Sequence, residues 1–89
     1  MSKFEKILRR VLGGEADANI DFADLCWLLV KLGFEERIKG SHHMYSHDVL
    51  GRPLNLQPRG DGKSKGYQVE QARHAVKIVL EEDESAEEK

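Results

Sequence analysis

Apolar residues at the start of the chain recur with the spacing of an amphipathic helix. They fall at positions i, i+3, i+4 and i+7 and are Phe4, Ile7, Leu8 and Val11. This spacing predicts a helix over residues 2–12, which Gly13 and Gly14 would end. The stripe is too apolar to stay bare on a monomer, so we expect it to pack on Trp27 and Val30 of the next helix.

A second apolar run predicts a helix over residues 22–32. Asp21 stands at the N-cap position, Asp24 follows three residues later as in a capping box, and Gly33 supplies a stop signal. A last helix is predicted to begin near Tyr67. We expect it to fray at the acidic C-terminal run, because carboxylates near a helix C-terminus oppose the helix dipole.

Between these helices the chain has the period of β-strands. Residues 34–39 alternate along a half-buried strand, and a turn at Gly40 leads into a second strand. Residues 54–57 predict a third strand, which Pro58 closes off. The order of elements places the chain in the α+β class, with a three-stranded antiparallel sheet.

The second strand carries two rows of side chains, and its period does not say which row faces the helices. One row is His43, Tyr45 and His47, and the other is His42, Met44 and Ser46. We expect Met44 to face inward, with His42 at the rim of the same layer. The first row would then face solvent beside Arg37 and Lys39. It is either a surface for single-stranded RNA or an ordinary exposed sheet face.

Charge is distributed unevenly along the 89 residues. The formal net charge is −2, but residues 81–89 hold six acids and one lysine, so the other 80 residues carry 13 bases against 10 acids. Residues 37–80 hold eight Lys or Arg against three acids, with four histidines besides. This half of the chain is suited to an anionic partner, or it carries ordinary surface charge; the pattern leaves both open.

Residues 59–66 contain three bases and three glycines, which predicts a mobile cationic loop. Lys63 and Lys65 in this loop are candidates for contacts with RNA backbone or with acidic residues of a partner. The loop lacks the glycine spacing of a Walker phosphate loop, so nucleotide binding of that kind is excluded.

Composition narrows the class of protein further. A chain with 39% hydrophobic and 34% charged residues is typical of one globular domain, and no apolar run approaches the length of a membrane span. The N-terminal residues lack the apolar core of a signal peptide, and a single cysteine cannot form an internal disulfide. We therefore expect a cytoplasmic protein with no membrane partner.

A zinc site is a competing hypothesis, because cysteine and histidine are zinc ligands. Its candidate ligands are Cys26, His42, His43 and His47. Their spacings match no standard zinc pattern, and a cysteine within an apolar helix is typical of a small buried hydrophobe. We expect neither a metal nor another cofactor.

His42 belongs to the motif Gly-Ser-His at residues 40–42, which opens an apolar and aromatic strand and follows a helix ending in Leu-Gly-Phe. Over residues 20–80 this arrangement resembles the HicA toxin family of small bacterial mRNA interferases. The resemblance implies a fold like a double-stranded-RNA-binding domain, an αβββα core with its helices on one face of the sheet. It would leave an extra helix and linker at residues 1–19 and an acidic tail at 81–89.

The resemblance also implies a function. The protein would be the toxin of a type II toxin–antitoxin system, an endoribonuclease that cleaves mRNA without a metal and is held inactive by a HicB-like antitoxin. His42 would be the catalytic residue, since histidine, with an unperturbed pKa of about 6.5, exchanges protons near neutrality. Arg37 and Lys39 would bind the scissile phosphate, and Lys63 and Lys65 would hold the RNA strand. Candidates for a second proton-transfer group are His43, Tyr45 and His47.

The sequence differs from the family pattern at one position, and two other functions stay open. Relatives often carry a histidine after the proline that closes the third strand, whereas here Pro58 is followed by Arg59 and Gly60. A non-catalytic RNA-binding module of the same fold is one alternative. It shares a salt-dependent affinity for RNA with the nuclease and differs from it in turnover. The other is a protein-interaction module that uses the first helix and the acidic tail.

Overall fold

The computed structural model describes the backbone of residues 2–87 and the side chains of residues 2–82. The elements in this part of the chain are α1 (Lys3–Gly13), a 3-10 turn (Asp17–Asn19), α2 (Phe22–Lys31), β1 (Glu35–Lys39), β2 (His42–Ser46), β3 (Leu54–Leu56) and α3 (Gly66–Glu87). The three strands form one antiparallel sheet. The predicted α+β fold class is confirmed, including the extra N-terminal helix.

Helix α1 begins and ends close to the predicted positions. The Oγ of Ser2 accepts a hydrogen bond from the amide of Glu5 at 3.1 Å, which caps the first turn. Gly14 closes the helix in the left-handed conformation, with φ 74°. A Cβ at Gly14 would lie 3.1 Å from Nη1 of Arg73, so both the backbone conformation and the space favour glycine.

Asp21 occupies the N-cap position of α2, but its side chain does not cap the helix. Its Oδ1 accepts a hydrogen bond from Nζ of Lys63 at 2.6 Å, an interaction that lowers the pKa of Asp21. The predicted capping box is therefore wrong. The amide of Phe22 donates instead to the carbonyl of Gly62 at 3.0 Å, so a loop distant in sequence closes over the start of α2.

The register of the sheet assigns alternate residues to its two faces. The face towards the helices carries Glu36, Ile38, His43, Tyr45, Leu54 and Leu56. The opposite face carries Arg37, Lys39, His42, Met44 and Asn55. Tyr45 and Leu56 are fully buried, and the ring of Phe22 meets that of His43 edge-on with 4.9 Å between centroids. We call the uncovered side, on which His42 and Asn55 are exposed, the open face.

This orientation reverses the expectation for β2. Tyr45 points towards the helices, whereas Met44 lies on the open face, so the prediction that Met44 faces inward is wrong. Tyr45 can take the inner position because its hydroxyl has a partner there: it donates to Oε2 of Glu36 at 2.6 Å. The aromatic ring thus fills the core while its polar end is satisfied.

Helix α1 packs on both α2 and α3 and buries Ile7 and Val11. Nζ of Lys3 lies 4.5 Å from the ring centroid of Trp27, so α1 lies beside this ring; packing of the apolar stripe itself on Trp27 stays a prediction. Val30 stays 45% exposed, so the expectation that α1 covers it is wrong. The fully buried Leu28, on a different side of α2, takes an inward position instead.

The loop that we expected to be mobile over residues 59–66 ends at Lys65, because α3 begins at Gly66, and contacts with the linker before α2 hold it in place. Nη1 of Arg59 donates to the carbonyl of Ala18 at 2.9 Å, and the amide of Ser64 donates to that of Ile20 at 2.8 Å. Together with the Lys63 contact described above, these bonds join two segments about 40 residues apart in sequence.

Helix α3 continues through the acidic run to Glu87, so the prediction that it frays there is wrong for residues 81–87. Its buried residues include Val69, Ala72 and Val76, which anchor its first half to the core. The last two residues of the predicted acidic tail lie outside the described part of the chain. No helix within residues 2–87 is long and apolar enough to cross a membrane.

Candidate active site

His42 lies at the start of β2, where the register sets it opposite Lys39 of β1. The two residues flank a two-residue turn, and Gly40 in that turn has φ 61°, a conformation that glycine adopts without strain. Directly opposed residues of an antiparallel pair have Cβ atoms about 4.5–5.5 Å apart. The hairpin therefore places Lys39 and the exposed His42 next to each other on the open face.

Two amide side chains from the β3 region hold the imidazole of His42. Its Nδ1 lies 3.3 Å from Oδ1 of Asn55, and its Nε2 lies 3.2 Å from Nε2 of Gln57. An amide oxygen only accepts and an amide nitrogen only donates, so these contacts fit one tautomer. In it, Nδ1–H donates to Asn55 and Nε2 accepts from Gln57. The basic nitrogen of His42 is therefore Nε2.

Gln57 is anchored on two sides. Its Nε2 also donates to Oγ of Ser41 at 3.2 Å. Its backbone amide donates to Oε1 of Gln68 at 3.0 Å, and Gln68 is only 6% exposed. The amide of Gln68 in turn donates to the carbonyl of Lys65 at 2.9 Å. The first turn of α3 thus supports the residue that contacts Nε2 of His42.

The cations expected at the site fall into two groups. Arg37 and Lys39 are exposed on the same face as His42. Lys63 pairs with Asp21 and helps to fix the loop, and Lys65 lies just before α3. The fold therefore brings Arg37 and Lys39 together with His42, whereas Lys63 has an internal partner.

A shallow cleft of about 180 Å³ opens beside Arg37 on the open face. Its lining residues are Glu35, Arg37, Met44, Ser46 and Pro53. A larger groove of about 600 Å³ runs along α3, but it is lined by residues of that helix alone and does not include His42. We therefore place the candidate site on the sheet, where the titratable group and its polar contacts lie.

The other three candidates, two on β2 and His47 directly after it, lie on the helix side of the sheet. The rings of His43 and His47 meet those of Phe22 and Phe34 edge-on, with centroids 4.9 and 5.4 Å apart. Tyr45 is fully buried, and burial, with hydrogen bonds to Cys26 and Glu36, raises its pKa above the ordinary value of 10.0. The expected solvent-facing row is wrong. Tyr45 is unsuited to RNA stacking and to proton transfer.

The residues of the zinc hypothesis are also separated. His42 lies on the open face, His43 and His47 lie on the other, and Cys26 is buried in α2. Among the described residues, no group of three or more His, Cys, Asp or Glu side chains converges in the manner of metal ligands. Burial raises the pKa of the Cys26 thiol to about 11, which disfavours the thiolate that a metal would require.

Asn55 and Gln57 are the site residues that the sequence reasoning missed. The sequence did contain a signal for them, because Leu54 and Leu56 alternate with these two residues. In a strand with one apolar row, the alternate residues form a polar row on the other face. Which residue of β2 the polar row would meet depends on the register between strands, and the period does not specify it.

Comparisons with known proteins do not identify a family for this chain. No family model matches the chain, and no curated protein or solved structure matches it significantly. Inferences about function therefore rest on the geometry around His42 and on the motif at residues 40–42.

Proposed function

We propose that this protein is an endoribonuclease of the HicA type, which cleaves mRNA on its open face with His42 as the proton-transfer group. One observation carries the proposal: an exposed imidazole is held by Asn55 and Gln57 in a single tautomer, directly opposite Lys39. General base catalysis requires a proton acceptor that is held in a fixed orientation.

The reaction that fits these groups is transesterification within RNA. Nε2 of His42 takes the proton of a 2′-hydroxyl once substrate displaces the Gln57 amide from it. The 2′-oxygen forms a bond to the adjacent phosphorus, and the bond from phosphorus to the 5′-oxygen breaks. The proton taken by His42 passes through water to the departing 5′-oxygen, which leaves a 2′,3′-cyclic phosphate, a 5′-hydroxyl and a neutral imidazole.

Arg37 and Lys39 supply the electrostatic part of this mechanism. Negative charge grows on the phosphoryl oxygens in the transition state, and preorganised cations near those oxygens lower its energy. Both side chains are exposed on the face that carries His42. In this proposal they bind the scissile phosphate, and Lys65, near the start of α3, contacts the strand further along.

The biological setting follows from the same proposal. A nuclease that cleaves mRNA is toxic to its own cell, so we infer a cytoplasmic toxin of a type II toxin–antitoxin pair. A HicB-like antitoxin would hold it inactive. The support for this setting is the motif at residues 40–42 and its position after α2 and the Leu-Gly-Phe that follows that helix.

A non-catalytic RNA-binding module is the second candidate, and one observation favours it. Both hydrogen-bond partners of His42 are neutral amides, and among the described side chains no carboxylate or second titratable group is hydrogen-bonded to the ring. Such a site can bind a phosphate through its cations without turning over the RNA.

Incubation of the purified protein with labelled single-stranded RNA tests the proposal. We expect His42→Ala to lower the cleavage rate by about 100-fold or more, while the circular dichroism spectrum is retained. His74→Ala changes an exposed histidine of α3 and is the matched control, which should cleave like the wild type. Added chelator should not change the rate.

The products distinguish the remaining possibilities. Fragments ending in a 2′,3′-cyclic phosphate support the transesterification described above. Equal cleavage by His42→Ala and wild type would show that the catalytic assignment is wrong. RNA binding by the wild type without any cleavage would favour the second candidate.

A further inference from the structure

A second group of cations surrounds Trp27, where α1 meets α2. Nζ of Lys3 lies 4.5 Å and Nζ of Lys31 lies 5.7 Å from the centroid of the Trp27 ring. Both distances are within the range of about 6 Å over which an ammonium group interacts with an aromatic ring. One indole thus holds two ammonium groups from different helices.

Neither lysine has a carboxylate partner among the side chains of residues 2–82. The ion pairs there join Arg59 with Asp61, Lys63 with Asp21, and Arg73 with Asp17. Lys6 lies one helical turn after Lys3 and is also exposed. Like charges repel, and an exposed cation–π contact offsets this by only about 0.5–1 kcal/mol. The cluster would therefore be stabilised by an anion.

The chemistry of the cluster fits single-stranded nucleic acid better than a small anion. Proteins hold single strands by combining cations, which contact phosphates, with aromatic rings, which stack on bases. Trp27 is a partly exposed aromatic ring, and Lys3 and Lys31 beside it supply the cations. By contrast, the side chains of Arg59, Lys63 and Arg73 are occupied by internal contacts.

We propose that Lys3, Trp27 and Lys31 form a second RNA-binding site, which rests on the proposed function and holds the substrate away from the scissile bond. The ammonium of Lys3 moves from the face of the ring to a phosphate oxygen, Lys31 binds a neighbouring phosphate, and a base stacks on the face of the indole that Lys3 has left. Helix α2 lies on the covered side of the sheet, whereas His42 lies on the open face, so RNA that contacts both sites passes around the molecule. The site is suited to RNA longer than a few nucleotides.

The single tryptophan of the chain makes this site directly observable, because Trp27 alone produces the indole fluorescence. A single-stranded oligoribonucleotide is titrated into the His42→Ala protein, which lacks the proposed catalytic residue. We expect quenching of Trp27 emission that saturates at the same RNA concentration as the anisotropy of labelled RNA.

Charge variants test the two lysines. Lys3→Gln/Lys31→Gln should weaken RNA binding about 10-fold at low salt and reduce the slope of log K against log salt by about 1.4, since each phosphate contact on a single strand contributes about 0.7. Lys31→Gln is compared with Lys77→Gln, which removes one charge from an exposed position of α3 and should leave affinity unchanged.

The outcomes separate this site from the nuclease itself. RNA binding with unchanged Trp27 emission and an unaltered double variant would overturn the second site, even where wild-type protein cleaves RNA. Quenching by an acidic peptide but not by RNA would also overturn it and indicate an acidic protein partner. Absence of both RNA binding and cleavage in the wild type would contradict the second site and the proposed function together.

Discussion

The guanidinium of Arg73 on α3 binds the carboxylate of Asp17 in the 3-10 turn through both terminal nitrogens. Nη1 lies 2.9 Å from Oδ1 and Nη2 lies 2.9 Å from Oδ2. Nη1 also donates to the carbonyl of Val11 at 3.1 Å, so it satisfies a backbone oxygen in the last turn of α1. The two side chains are 16% and 21% exposed. This bidentate pair, which we call the Arg73 fork, joins the N-terminal helix to α3.

We expect Asp17→Asn to lower the free energy of unfolding by about 2 kcal/mol, because it leaves a largely buried guanidinium without its charged partner. Urea denaturation measures the effect. Asp61→Asn is the control, since the Arg59–Asp61 pair is 39% and 51% exposed and such pairs contribute about 0–1 kcal/mol. Equal losses in the two variants would show that the Arg73 fork has no special role.

The adjacent glycines at the end of α1 should respond in opposite directions to alanine. Gly14→Ala should destabilise the protein by about 1–2 kcal/mol, because Gly14 has φ 74° and a Cβ there approaches Arg73. Gly13→Ala should stabilise it by about 0.5–1 kcal/mol, because Gly13 is helical and its Cβ would meet nothing within 4 Å. Melting temperatures of the pair test this, and a shift of the same sign in both would contradict it.

Cys26 should resist alkylation in the folded protein. Burial raises the pKa of its thiol from an ordinary 9.0 to about 11, so at pH 8 the thiolate is about 100-fold rarer than in the unfolded chain. We expect iodoacetamide to react at least that much more slowly without urea than with it. Comparable rates would show that the thiol is accessible.

The same shift in the pKa of Cys26 affects stability at high pH. The neutral thiol contributes stability that is fully present below about pH 9 and is lost as the pH rises through about 11, since the unfolded chain loses the proton first. Cys26→Ala should therefore flatten the decline of stability over this range, as measured by urea denaturation at several pH values.

Asn55 should act as a positioning residue for His42. Asn55→Ala removes the acceptor of Nδ1–H and should lower kcat by about 10–100-fold with little change in KM, because misplacement of a catalytic group costs rate more than binding. Asn55→Asp keeps an acceptor and should restore most of the activity.

Nitrogen chemical shifts of the imidazole give a readout of this role that does not depend on activity. In the wild type the proton of neutral His42 should reside on Nδ1, and in Asn55→Ala the two tautomers should mix. An unchanged tautomer and an unchanged kcat in Asn55→Ala would together exclude the positioning role.

Local patterns in the sequence were sufficient for much of the fold. The helical spacing from Phe4 to Val11 and the glycine at position 14 specify α1, and the alternation of residues 54–57 specifies β3. These signals are local because each element forms its own hydrogen bonds or presents one apolar face within a few residues. The motif at residues 40–42 likewise identified His42 as a candidate before its surroundings were known.

The tertiary structure decided what surrounds each of these residues. A strand of period two has two equivalent rows, and packing against the helices determined which row of β2 is buried: Tyr45 is fully buried and its hydroxyl donates to Glu36. Asn55 meets His42 because of the register between β2 and β3, and Lys63 meets Asp21 across 42 positions of sequence. Such contacts depend on how the elements pack, so no local pattern carries them.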